Sequence, residues 1–164
     1  MSASVSPSAS ITAEAGKYLT FLLGREHYGI PVLKVREIIR LCDITPVPQM
    51  PAHIRGVLNL RGKIVPVVDL RIKFSLPDAV SNERTCIIVV QVDGPKSVPH
   101  LMSIIVDTVD EVVQVAAEDI EEPPDFGSNF STEFIRGIAK IKGVVQTLLD
   151  VDRIVGAVNL NAFG

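Results

Sequence analysis

Three histidines, two cysteines and a run of carboxylates are the side chains with which this sequence could do chemistry. His27, His53 and His100 stand in unrelated contexts, and none has a second ligand three or four residues away. Zinc-binding spacing is therefore absent. No Gly-x-Ser-x-Gly elbow, glycine-rich phosphate loop or His-Glu-x-x-His occurs. Val106-Asp107-Thr108 comes close to the Asp-Thr-Gly of aspartic proteases, but Val109 replaces the glycine. Those enzymes need two carboxylates sharing a proton at close range. The acidic residues Glu118, Asp119, Glu121 and Glu122 lack the alternating ligands and the bend-forming glycine of a hard-cation loop, and read as a solvated turn. No cofactor or metal is expected, and the pattern points away from an enzyme.

Composition narrows the class further. In 164 residues, 47% are hydrophobic and 21% charged, a globular balance, and there is no Trp. The core must come from Val, Ile and Leu, which favour β-rich interiors. A formal charge of −3 with scattered Lys and Arg argues against a nucleic-acid partner, which demands a concentrated basic patch. Cys42 and Cys86 sit beside apolar residues without a CxxC pair, so buried free thiols are expected. The first 16 residues, Ser- and Ala-rich, read as a disordered leader and not a signal peptide. No apolar run approaches the ~20 residues of a membrane span.

The elements that must position any site come in two copies. Ile54–Phe74 (IRGVLNLRGKIVPVVDLRIKF) aligns with Ile135–Val155 (IRGIAKIKGVVQTLLDVDRIV), with five identities in 21 positions. Chance gives about one. Upstream, Tyr28–Ile39 (YGIPVLKVREII) aligns with Met102–Val113 (MSIIVDTVDEVV) in the same order. Two units, about 18–76 and 84–155, are inferred. Short β-branched runs at Tyr18–Leu23, Ile64–Val68, Thr85–Val92, Leu101–Val106 and Val144–Leu149 predict strands. Asn59–Lys63 and Lys142-Gly143 predict tight turns, with glycine supplying positive φ. Val32–Arg40 suggests one or two helical turns with Leu33, Val35, Ile38 and Ile39 on one side, and Asp69–Phe74 a short helix led by Asp69. So few short strands must close to remove their edges, which predicts two small barrels packed together.

The spaced elements YGI, VLKV, EI, G-LNLRG-I-PV-DLR and KF in the first half resemble the CheW-like domain. IIVDTVDEVVQV and FIRGIAKIKG in the second half resemble it too, so the likeness runs from about residue 17 to 155, leaving a tail at 156–164. The resemblance implies a mainly β fold of two intertwined five-stranded SH3-like β-barrels with short helices. It implies a non-catalytic adaptor coupling the cytoplasmic tip of chemoreceptors to the histidine kinase CheA, whose C-terminal regulatory domain shares the fold. The cell compartment implied is the cytoplasm, at membrane-associated receptor arrays, without membrane insertion. With nine residues after Val155 and an initiator Met1, a stand-alone coupler is expected rather than a module with an appended receiver or kinase. The alternatives are a CheW-like module of another two-component pathway and a nucleic-acid-binding small barrel.

By the same resemblance, Val35, Glu37, Gly56, Arg61 and Ile87 match receptor-facing positions. Val35 reads equally as core. Glu37 recurs as Glu111 and Arg61 as Lys142, which suggests a charge pair, Glu37 with Arg61, in both units. Gly56 and Gly62 read first as backbone-shaping residues. For the kinase, barrel is expected to pack against barrel, an arrangement that can close rings. Phe126, after Pro123-Pro124-Asp125, is the loop aromatic expected at that contact.

Overall fold

A computed structural model of the chain describes residues 15–76, 81–93, 98–122 and 134–156. Most of the expected leader, Phe126 with its proline-bearing loop, and the tail from residue 157 lie outside the described residues. The first half contributes β1 (Gly16–Leu23), β2 (Glu26–Pro31), β3 (Val35–Arg40), β4 (Ile54–Leu60), β5 (Lys63–Asp69) and α1 (Leu70–Lys73). The second contributes β6 (Cys86–Asp93), β7 (Pro99–Val106), β8 (Thr108–Val115), β9 (Ile120–Glu121), β10 (Ile135–Ile141), β11 (Val144–Leu149) and α2 (Val151–Gly156).

The halves exchange strands. One sheet runs β3-β6-β7-β5-β4 and the other β8-β1-β2-β11-β10-β9. Each takes a hairpin from one half, β6-β7 or β1-β2, and its remaining strands from the other. Matching β1 with β6, β2 with β7, β3 with β8, β4 with β10 and β5 with β11 makes the two orders identical, apart from the two-residue β9. The seams where the halves meet are parallel, Val67 beside Ser103 in one sheet and Leu148 beside Gly29 in the other. Repetition in the sequence is thus realised as an approximate two-fold with swapped hairpins, the intertwined mainly β architecture expected.

Each sheet closes on itself by the same device. Beyond β3 the chain returns to the free edge of β4, where Thr45 and Val57 exchange both backbone hydrogen bonds at 2.8 and 2.9 Å. In the other sheet β9 pairs with β10, Glu121 facing Ile138, the repeat of Val57. Closure satisfies edge groups that would otherwise template another chain. Gly56 makes room for it. A Cβ there would lie 2.0 Å from the Thr45 carbonyl oxygen, and its φ of +136° is one that L side chains rarely adopt.

Alternation sorts the apolar residues into three cores. Leu58, Val65, Val67, Ile87, Val89 and Ile105 pack together on the inner side of the first barrel, the sheet containing β3. Tyr18, Val113, Val115, Ile120, Ala139 and Leu148 do so in the second. The largest core, including Phe21, Leu23, Ile30, Ile88, Val90, Met102 and Ile104, draws on strands of both sheets. β6 is covered on both faces, which is why Cys86–Val90 reads as an unbroken apolar run rather than an alternating one.

Two local expectations are corrected. Val32–Lys34 forms a single 3-10 turn, and Val35–Arg40 is a strand paired with β6 instead of a longer helix. Its β-branched residues gain more from the ladder than a short helix offers. Leu33 and Ile38 accordingly face solvent, 86% and 44% exposed, instead of sharing a buried face. The cysteines are free, but Cys42 is exposed and Cys86 only half-buried, because Cys42 follows the end of β3. Asp69–Phe74 forms as read. The Asp69 carboxylate caps α1, accepting the Arg71 backbone N–H at 3.0 Å.

Candidate docking site

The charged site of the first barrel is built from a hairpin tip and a bulge. β4 and β5 are joined by two residues, Arg61 and Gly62, with φ of +52° and +88°. Positive φ at both positions marks a type I′ loop, whose backbone twist matches that of the flanking strands. Gly62 adopts it freely, Arg61 at some cost, and Asn59 Oδ1 accepts the Gly62 N–H at 2.8 Å. Lys142 and Gly143 repeat the turn, at +54° and +81°. Arg61 is thereby held at the tip.

Glu37 reaches that tip because β3 bulges. Val35 lies opposite Val90, yet Glu37 lies opposite Val89, so one extra residue, Arg36, rotates the strand. Val35 packs against the core shared by both sheets, whereas Ile39 packs with the inner core of the first barrel. Glu37 sits on this second side. Its two carboxylate oxygens accept from Arg61 Nη1 and Nη2 at 2.6 and 2.8 Å, a fork-to-fork pair. The hydrogen bond from Arg61 holds the Glu37 carboxyl below its ordinary range, and the same bond raises Arg61. The Arg61 side chain stays 73% exposed and Glu37 only 27%, so an oriented guanidinium faces solvent. Glu111 and Lys142 repeat the pair more loosely at 4.0 Å.

An open cleft of about 570 Å³ adjoins the pair. Arg36, Lys63 and His100 bring polarity to it, and Leu60, Val89 and Leu101 an apolar floor. Arg36 Nε donates to Gln91 Oε1 at 2.8 Å, which keeps that guanidinium along the wall.

Of the residues singled out from sequence, Glu37 and Arg61 are brought together at the surface. Val35 is half-buried against the core shared by both sheets, on the other side of β3 from Glu37, Gly56 lies under the Thr45–Pro46 backbone, and Ile87 is fully buried beside Val89. Gly56 and Ile87 are buried, whereas Val35 keeps a partly exposed side chain. Phe126 lies outside the described residues. Sequence reasoning did not single out Leu60 and Leu101, which line the cleft: Leu60 falls in the predicted tight turn and Leu101 at the start of a predicted strand, and neither position signals a partly exposed face.

The geometry supports binding rather than catalysis. Asp107, the residue nearest a protease motif, has one oxygen 3.2 Å from Arg71 Nη1 and the other accepting the Gly24 backbone N–H at 2.6 Å. Glu37 is committed to Arg61. Among the described residues no group of three His, Cys, Asp or Glu side chains is placed to hold a metal ion, and no helix is long and apolar enough to cross a membrane.

Two closed barrels with exchanged hairpins, a charged mouth, and Glu37 and Asp107 held in ion pairs define a docking module. The model of the CheW-like domain matches residues 17–159. "Chemotaxis protein CheW" of Klebsiella aerogenes is 35% identical over 86% of this chain and 82% of its own length. The protein of that name from Rhizobium meliloti is 31% identical over 88% and 90%. The crystal structure of the scaffolding protein TtCheW from Thermoanaerobacter tengcongensis superposes with a TM-score of 0.77 at 32% identity, covering 85% of this chain and 92% of that one. The chain belongs to the CheW-like domain family, and its function is that of a non-catalytic chemotaxis adaptor.

Proposed function

We propose that this adaptor joins the cytoplasmic tip of chemoreceptors to the histidine kinase CheA, in the cytoplasm at membrane-associated receptor arrays. The receptor docks at the mouth of the first barrel, where Arg61, oriented by Glu37, meets a carboxylate or backbone carbonyl at a helix surface. Val35, Gly56 and Ile87 hold the shape of that mouth. The kinase packs through its own C-terminal regulatory domain, barrel against barrel, with Phe126 as the anchoring aromatic.

One observation carries the receptor assignment: the bidentate Glu37–Arg61 pair leaves a preoriented guanidinium exposed beside an apolar floor. Preorientation lowers the entropy cost of docking, and arginine is among the residues that dominate interface energetics. Co-sedimentation with a receptor signalling tip and CheA, with kinase activity measured with and without the chain, tests the proposal. Recruitment of both partners with altered kinase activity is the expected result; a chain that joins neither partner rejects it. Phe126→Ala should weaken assembly with kinase more than it lowers the melting temperature, and unchanged assembly removes Phe126 from that contact.

A further inference from the structure

The cleft beside the Glu37–Arg61 pair gathers more positive charge than that pair neutralises. Arg36, Arg61 and Lys63 line it against a single carboxylate, Glu37, among the described residues, so three cations less one anion leave an excess of two. The His100 ring lines the same cleft. Neighbouring residues of a regular strand point to opposite faces. The bulge at Arg36 lifts that rule, and Arg36 and Glu37 both line the cleft.

Both guanidiniums are already held. Arg36 donates to Gln91 Oε1 through Nε and Nη2, and Arg61 to Glu37 through Nη1 and Nη2. A guanidinium has five N–H donors, so each keeps three for a further acceptor. Donors fixed beforehand lose little conformational freedom on binding. The excess charge matches a phosphate monoester, which carries about −1.5 to −2 at pH 7 and three acceptor oxygens, better than it matches a single carboxylate. Leu60, Val89 and Leu101 offer contact to an apolar body, and the volume of about 570 Å³ lies in the range of small-molecule sites.

The fold does not impose this charge. The repeat puts Asp110, Lys142, Val144 and Glu26 where the cleft has Arg36, Arg61, Lys63 and His100. The two-residue turn is the same in both units, with φ values agreeing within a few degrees. One architecture thus collects cations in the first barrel and not in the second.

We propose that the cleft binds a small phosphate ester with an apolar body, its phosphoryl group on Arg36, Arg61 and Lys63 and its body on Leu60 and Leu101. An occupant covers Arg61, so it and the receptor exclude one another. That exclusion alone rests on the docking proposed above; the site itself does not.

Isothermal titration of the full chain with naphthyl phosphate, without receptor or kinase, tests the site. Saturable one-to-one binding is expected, at least about tenfold tighter than for inorganic phosphate, which lacks the body, or naphthoate, which lacks the second charge. Lys63→Val, which brings in the side chain of the second unit, and Arg36→Ala should each weaken binding about tenfold with the melting temperature unchanged. Amide shifts in an isotope-labelled chain should concentrate at Gly62, Lys63 and Leu101. Absence of saturable binding overturns the proposal, as does an affinity indifferent to both variants. Inorganic phosphate or naphthoate binding as tightly as the ester overturns it too. A receptor tip should dock at least about tenfold more weakly on the ester-saturated chain, and undiminished docking overturns the exclusion. A tip that ignores the ester-free chain as well fails the docking reading and not the site, which the titration decides.

Discussion

Arg71 of the first half reaches Asp107 of the second, Nη1 to Oδ1 at 3.2 Å, from a guanidinium only 1% exposed. The same side chain grips Asp69 through Nε and Nη2 at 2.9 and 3.0 Å, and Asp69 also accepts from Arg55. Asp107 continues the chain of contacts to the Gly24 N–H in the β1–β2 turn. At the equivalent place in the other half the polarity is reversed. Asp152, the repeat of Arg71, takes Lys34 Nζ at 3.0 Å. One pair locks each short helix to the strand junction of the opposite half.

The two locks differ in burial, so they should differ in weight. Arg71→Met leaves Asp69 buried with reduced compensation and should cost about 3–5 kcal/mol, the usual penalty for stranding one partner of a buried pair. Lys34→Met removes a pair about 30% exposed on both sides and should cost below ~1 kcal/mol. Urea denaturation of the two variants side by side measures the contrast; equal losses would show that burial does not set it.

Gly56 and Gly62 are five residues beyond Pro51 and one beyond Arg61, respectively, yet substitution should separate them sharply. Gly56→Ala drives a methyl into the Thr45 carbonyl, backbone that cannot swing aside, and should cost more than ~4 kcal/mol or prevent folding. Gly62→Ala meets no atom within 4 Å and pays only for its positive φ, about 1 kcal/mol. Thermal unfolding followed by far-UV circular dichroism reads both.

Arg61→Ala should leave the fold intact, because the side chain is mostly solvent-exposed, and should weaken receptor docking about tenfold. Equilibrium binding to a receptor signalling tip, with melting temperature as control, is the measurement. Glu37→Ala frees the guanidinium without removing it and should cost less affinity than Arg61→Ala. The reverse ranking would make Glu37 the contacting residue.

His53 gives the stability a pH dependence of predictable sign. Burial, and then the charge of Lys73, hold its imidazole below the ordinary range. The unfolded chain therefore takes up a proton at a higher pH than the folded one. The stabilisation is present above the unfolded value near 6.5 and is lost as pH falls from there through the folded pKa. His53→Gln keeps the backbone carbonyl that accepts the Asp69 N–H and should flatten the profile as pH falls below the ordinary imidazole value of 6.5. An unchanged slope would place the dependence elsewhere.

Local patterns spoke plainly in this sequence. The repeat, the short β-branched runs, the Arg61-Gly62 and Lys142-Gly143 turns and the Asp69 cap each depend on a few neighbouring residues, and each stands in the structure. The pairing of Glu37 with Arg61 was legible because the repeat offered Glu111 with Lys142 as a second instance. Val32–Arg40 was misread as helical because a bulge at Arg36 breaks the strict alternation that marks a strand.

Amino-acid order alone determined that two like β units exist, which residues turn, and which are apolar. Tertiary structure decided that the units trade hairpins, that Gly29 lies beside Leu148 and Val67 beside Ser103, and that Arg36, Arg61 and Lys63 gather at one cleft. The reason is physical. Side-chain alternation states that a strand face is buried, but two similar units offer each strand similar edges. Only the shared core, drawn from both halves through residues such as Phe21, Ile88 and Ile104, selects the partner that covers both faces at once.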